Sequence, residues 1–265
     1  MMDFKGKVVW LTGASSGIGE ALACALAAQG AQLVLSSRRV AELERVKELC
    51  KLQDHNCLIL PFDLCDTSGV DKLTSLIVSK FGKIDLLINN GGISQRSLAR
   101  DTALEIDRRL METNYFSAVA LSKSVLPQMI KQGSGHIATV SSISGKFGFF
   151  LRSAYSASKH ALHGFFESLR LEVHPYNIAI TLICPGKINT AIALNAINEK
   201  GEKNNKEAFS RFKGLSASEC AAQIIRAIQK NKVEVFIGGK ELRAIRIKRF
   251  FPGLFFRLIL RQKIE

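Results

Sequence analysis

The sequence predicts an α/β protein, a doubly wound parallel sheet of about seven strands with helices on both faces, in a single domain. Three observations predict it. Short apolar, β-branched runs alternate along the chain with helical patterns of about a dozen residues, as in consecutive βαβ units. A glycine-rich turn joins the first strand to the first helix. Polar and glycine-rich residues then recur at the carboxyl ends of the strands, where ligands bind in such sheets. With 265 residues and 47% hydrophobic content, the chain can bury a sizeable core.

Residues 7–12 (KVVWLT) form the first strand. Gly13-Ala-Ser15-Ser16-Gly17-Ile18-Gly19 follows, and residues 20–29 read as a helix ending at Gly30. Glycines permit a tight turn and close approach to a pyrophosphate, and the helix N-terminus offers free N–H groups. Residues 32–36 are the second strand, closed by Ser37, Arg38 and Arg39. A carboxylate at this strand end would bind a ribose 2′-hydroxyl; arginines suit the 2′-phosphate of NADP, so NADP(H) is expected over NAD(H). The arginines could also simply begin the solvated helix of residues 41–52.

Residues 56–62 form the third strand, ending at Asp63 and Leu64, and residues 67–81 are helical. Residues 84–88 form the fourth strand, ending in Asn89-Asn90-Gly91-Gly92. Residues 104–131 are a long helical region with Asn114 inside it. Residues 136–142 and 177–184 are the fifth and sixth strands, ending at Ser142 and at Pro185-Gly186, with Ile188 and Thr190 just beyond. Between them, Tyr155 and Lys159 lie on a helix over 155–173, four apart and therefore on one face. An ammonium beside a phenol favours the phenolate and lowers its pKa, so Tyr155 is a candidate general acid/base. Residues 187–215 are largely polar and are expected to form a lid over substrate. Ser216 and Glu219 read as a capping box opening the next helix, and residues 233–237 are the last strand.

The net charge of +14 suits an anionic ligand, nucleic acid or anionic membrane. No nucleic-acid recognition motif accompanies it, and a hydrolase triad built on Ser142 lacks a Gly-x-Ser-x-Gly elbow. The six cysteines show no Cys-x-x-Cys pair and no clustering with histidine, so no metal site is expected. Read as buried thiols, and with no secretory h-region, they suggest a reducing, cytoplasmic setting.

Residues 242–263 mix bulky apolar residues with arginines, and Pro252-Gly253 breaks them into two short segments. After the break, Leu254, Phe255, Leu258 and Ile259 can share one apolar face. Such a basic amphipathic tail, 241–265, could lie on the cytoplasmic face of a membrane as a peripheral anchor, or pack against protein.

Together, Thr12-Gly13-x-x-x-Gly17-x-Gly19, Asp63, Asn89-Asn90-x-Gly92, Asn114, Ser142, Tyr155-x-x-x-Lys159 and Pro185-Gly186 with Thr190 resemble the short-chain dehydrogenase/reductase family. The resemblance implies a Rossmann-type catalytic domain over 1–240 that interconverts a carbonyl and an alcohol. It implies Asn114, Ser142, Tyr155 and Lys159 as the catalytic set, with Tyr155 exchanging the proton. Ser142 would bind the substrate oxygen, Lys159 would tune the phenol and hold the nicotinamide ribose, and Asn114 would support a water. Gly13, Ser15, Ser16, Gly17, Ile18, Gly19, Ser37, Arg38, Arg39, Asp63, Leu64, Asn90, Gly91, Pro185, Gly186, Ile188 and Thr190, with Tyr155 and Lys159, would line the cofactor. Homodimers or homotetramers are common in the family. Gly91 departs from the usual alanine, from which a slightly looser turn is expected. An apolar substrate, lipid-, steroid- or retinoid-like, would suit the tail. A non-catalytic cofactor-binding or scaffold protein on the same fold is the competing reading.

Overall fold

The computed structural model describes residues 2–203 and 214–261. Residues 204–213 of the expected lid and the last four of the tail lie outside the described residues. The strands are β1 (Val8–Thr12), β2 (Gln32–Ser36), β3 (Cys57–Ile59), β4 (Leu86–Asn89), β5 (Gly135–Val140), β6 (Ile178–Pro185), β7 (Ile188–Asn189), β8 (Leu215–Ser216) and β9 (Glu234–Ile237). The helices are α1 (Gly17–Ala27), α2 (Val40–Leu49), α3 (Val70–Phe81), α4 (Leu104–Met111), α5 (Ser117–Gln132), α6 (Ser153–Val173), α7 (Ala217–Gln229), α8 (Arg243–Phe250) and α9 (Pro252–Leu260).

Seven strands form one parallel sheet in the order β3-β2-β1-β4-β5-β6-β9. Alternate β1 residues face opposite sides. Val9 and Leu11 join Leu22, Leu43 and Ile224 beneath α1, α2 and α7; Val8 and Trp10 join Ile77, Leu121 and Phe166 beneath α3, α5 and α6. A sheet covered on both faces explains why its strands read as continuous apolar runs. Fully buried Trp10 satisfies its indole by donating to Ser36 Oγ at 2.9 Å. β2 and β4 flank β1 on opposite sides, so the direction of winding reverses there and opens a crevice at the strand ends.

One expectation is corrected here. Cys24, on α1, and Cys50, closing α2, form a disulfide with their Cα atoms 4.7 Å apart. The two helices lie side by side on one face, so residues 26 apart in sequence meet without any local motif. This replaces the reading of Cys24 and Cys50 as buried thiols, while Cys57, Cys184 and Cys220 are buried and free. Among the described residues no helix is long and apolar enough to cross a membrane.

The tail both packs and projects. Phe255 is buried against Phe147, and Ile259 packs on the same cluster, while Leu254 and Leu258 face outward. The single apolar face expected after Pro252 is thus divided between two directions, because the inner side of α9 is claimed by Phe147 and Ile143. Lys248 Nζ donates to the Lys146 carbonyl at 2.7 Å and ties α8 to the loop after β5.

Candidate active site

Thr12 and Asn90 close the crevice between β1 and β4. Thr12 Oγ1 accepts from Asn90 N and Gly91 N, each at 3.0 Å, and the Asn90 amide donates to the carbonyls of Thr12 and Gly13. This lattice sets the glycine turn, whose Gly13 and Gly17 have φ of 63° and 60°. A side chain on Gly13 would meet Gly91 Cα at 2.7 Å. Gly17 faces the Thr190 side chain, so the loop after β6 reaches over the turn. Ser16 stands at the N-cap of α1 without a side-chain cap bond, leaving the leading N–H groups for a ligand. At Gly91, Leu64 Cδ1 lies 2.5 Å from where a Cβ would stand. Leu64 packs where the alanine methyl would lie.

At the end of β2, Arg39 Nη2 donates to Ser15 Oγ at 3.1 Å, and Arg39 N donates to Ser37 Oγ at 3.2 Å. Arg38 Nη1 lies 3.8 Å from the Asp63 carboxylate, both exposed. Arg38, Arg39, Ser15, Ser37 and Asp63 therefore share one mouth beside the glycine turn. An uncapped helix N-terminus and a glycine-rich turn fit the pyrophosphate of a nicotinamide dinucleotide.

Asn114 sits in a π-helical turn, Glu112–Phe116, that divides the predicted long helix into α4 and α5. Such turns cluster at functional sites because they re-aim a side chain. Asn114 Oδ1 accepts from Ile93 N at 2.8 Å, and its Nδ2 donates to Ile93 O and Ser158 Oγ, each at 3.0 Å. Its amide thus anchors the chain after β4 to α6.

Tyr155 is buried against Ile106, Leu110, Ala154 and Ile197. Ser142 stands beside it and accepts from Ser144 N at 3.1 Å. Lys159 is buried, with Nζ donating to Val140 O at 2.9 Å and lying 5.9 Å from the Tyr155 ring centroid. Burial lowers the Lys159 ammonium to about 8. The tyrosine differs from expectation. Burial pushes its phenol up, opposed by the Arg152 guanidinium and the bond with Ser142. Desolvation outweighs the nearby charges because the phenol lies inside an apolar cluster.

Two residues here were not visible in the sequence. Arg152 lies over the Tyr155 ring at 5.8 Å. Gln95 is fully buried, and its Oε1 accepts from Ala154 N at 3.0 Å and Tyr155 N at 3.3 Å. It thereby satisfies two leading donors of α6, the helix that carries Tyr155. Its Nε2 donates to the hydroxyls of Ser97 and Thr102, and its backbone bridges Ile197 of the expected lid. A second expectation is also corrected: cysteine and histidine do cluster, with Cys184 Sγ 3.7 Å from His163 Nε2. His163 also has acidic neighbours, Glu167 and Glu234.

The assembly brings a buried phenol and a buried ammonium on α6 together with the Ser142 hydroxyl just after β5.

A family profile described as short chain dehydrogenase matches residues 7–201. The chain is 38% identical to a Drosophila melanogaster dehydrogenase/reductase SDR family protein 7-like over 98% of its length and 81% of that protein. It is 44% identical to the human dehydrogenase/reductase SDR family member 7 over 87% of its length and 69% of that protein. Levodione reductase superposes with a TM-score of 0.81 at 28% identity, over 90% of this chain and 98% of that one. A Burkholderia phymatum short chain dehydrogenase/reductase in complex with NAD matches in fold, with a TM-score of 0.83 at 23% identity, over 96% of each chain.

Proposed function

Because the chain belongs to the short-chain dehydrogenase/reductase family, we propose that it is an NADP(H)-dependent oxidoreductase interconverting a carbonyl and a secondary or primary alcohol. The observation that carries the reading is the meeting of Tyr155, Ser142 and Lys159 at the strand ends that also hold the glycine turn. The nicotinamide, when bound, supplies the hydride chemistry. Gly13, Ser15, Ser16, Gly17, Ile18 and Gly19 would receive its phosphates, Asp63, Leu64, Asn90 and Gly91 would flank the adenosine side, and Pro185, Gly186, Ile188 and Thr190 the nicotinamide side. Ser142 orients the substrate oxygen, and Tyr155 gives it a proton or removes one. Lys159 stabilises the phenolate electrostatically, and Asn114 keeps the chain after β4 fixed to α6. NADPH oxidation over a panel of ketones and aldehydes tests this reading; no turnover with any of them, alongside tight NADPH binding, would favour a binding protein instead.

For NADP(H) over NAD(H), the support is the pair Arg38 and Arg39 beside Ser37. Arg38→Ala should raise Kd for NADPH by about tenfold or more, the loss of one charge-assisted phosphate contact, with NADH little changed. Equal losses for both cofactors would remove Arg38 as the phosphate ligand.

The substrate reading is an apolar carbonyl, supported by Ile93, Ile106, Leu110 and Ile197 around Tyr155. Peripheral membrane contact is supported by the outer side of α8 and α9. Phe250, Phe251, Leu254, Phe256 and Leu260 are exposed there among Arg249 and Arg257. A chain cut at 240 would also strip Phe255 from Phe147, so point changes test the idea better. Wild type should float with anionic liposomes, and a Phe250→Ser, Phe256→Ser double variant should not; equal flotation would discard the contact. Exposed Leu104 and Phe116 on α4 and the π turn suit a homodimer or homotetramer contact, which sedimentation velocity would detect.

A further inference from the structure

Behind the sheet end that carries Pro185, three metal-capable side chains from three elements converge. They are His163 on α6, Cys184 on β6 and Glu234 on β9, with ligand atoms all within 4.8 Å of one another. The tautomer is assigned from the hydrogen bonds around the ring. Ser141 Oγ lies 3.1 Å from the Lys159 carbonyl and 3.0 Å from His163 Nε2; with its proton assigned to the carbonyl, it accepts from Nε2. Nε2 therefore carries the proton and Nδ1 presents a bare lone pair. Nδ1 is buried and makes no hydrogen bond, and Glu234 Oε1 lies 3.4 Å from it. Lys146 Nζ, 2.6 Å from Glu234 Oε1, supplies the positive charge on the part-exposed carboxylate side, and the buried Nδ1 is left without a hydrogen bond.

We propose that this cluster is a divalent-cation site of zinc type, with His163 Nδ1, Cys184 Sγ and Glu234 Oε1 as ligands. Ligand atoms bound at about 2.0–2.3 Å in tetrahedral geometry lie about 3.3–3.7 Å apart. Glu234 Oε1 lies 3.4 Å from Nδ1 and 3.7 Å from Cys184 Sγ. The N–H of Nε2 on Ser141 is the outer hydrogen bond that fixes a metal-bound imidazole. Binding releases the Cys184 thiol proton to solvent and leaves a thiolate ligand. Glu167 Oε1, 3.7 Å from Nδ1, is the nearest further oxygen. The site has a built-in competitor, because Lys146 Nζ lies 2.6 Å from Glu234 Oε1 and must swing away.

The 265-residue chain dialysed against Zn²⁺ buffered by a competing chelator should take up one zinc per chain. Co²⁺ in its place should show a thiolate-to-cobalt band. Cys184→Ser and Glu234→Gln should each weaken zinc by about 100-fold or more, beyond the loss seen when only an outer-shell partner is removed. Lys146→Met, which frees the carboxylate, should tighten it about tenfold, the equivalent of one screened charge contact. Absence of uptake by wild type would overturn the proposal. Undiminished zinc binding in Glu234→Gln would do the same, as would unchanged or weaker binding in Lys146→Met. Should Cys184→Ser not fold, Glu234→Gln carries the test, since that side chain is part-exposed on the edge strand.

Discussion

Tyr155→Phe should lower kcat for carbonyl reduction by about 10³-fold, within the usual 10²–10⁴ span for a positioned acid, with NADPH affinity little changed. The substitution removes one oxygen and leaves the ring among Ile106, Leu110, Ala154 and Ile197, so melting should not shift. Retained turnover would assign the proton to another group. The wild-type pH profile gives an independent check. Burial raises the Tyr155 phenol, so it stays protonated and able to donate through neutral pH. Once it has donated, the phenolate needs a nearby cation, and Lys159 is charged only below about 8. Reduction should therefore fall as pH rises through about 8, and a profile flat across that value would separate Lys159 from the proton step.

Gln95→Leu should cost about 3–5 kcal/mol of stability, since at least two buried donors lose their acceptor at about 1–3 kcal/mol each. Leucine approximates the volume of glutamine, so the loss comes from Ala154 N, Tyr155 N and the Ser97 and Thr102 hydroxyls rather than from a cavity. The catalytic consequence is separable. A helix start shifted by even an ångström misplaces the phenol, and kcat should drop about 10–100-fold in protein that is still folded. Gln95→Glu keeps the acceptor and adds negative charge at a helix N-terminus, so it should recover much of kcat. If Gln95→Leu melted lower while kcat stayed at the wild-type value, Gln95 would be structural only.

The site was legible where chemistry follows local order. Tyr155 and Lys159 share a face because a helix repeats every 3.6 residues, and the glycine turn, Ser37, Asp63 and Asn90 lie together because every parallel strand ends on the same side of the sheet. Gln95 was not legible, since its partners at Ala154 and Tyr155 lie 59 and 60 residues away. Arg152 was equally hidden: its position over the Tyr155 ring depends on how the chain enters α6. Gly91 read as a small departure from pattern, but what it admits is Leu64, from the end of a different strand.

Alternating apolar runs, turn glycines and the Tyr155–Lys159 spacing by themselves determined the sheet, its winding and the kind of site it carries. These are properties of neighbouring residues, set by backbone sterics and by the period of each element. Tertiary structure alone decided that burial outweighs charge at Tyr155, that Cys24 meets Cys50, and that α9 turns Phe255 inward and Leu254 outward. It also brought His163, Cys184 and Glu234 together. Each of these depends on the rotation of one element about its axis against another, and one sequence states that rotation nowhere along its length.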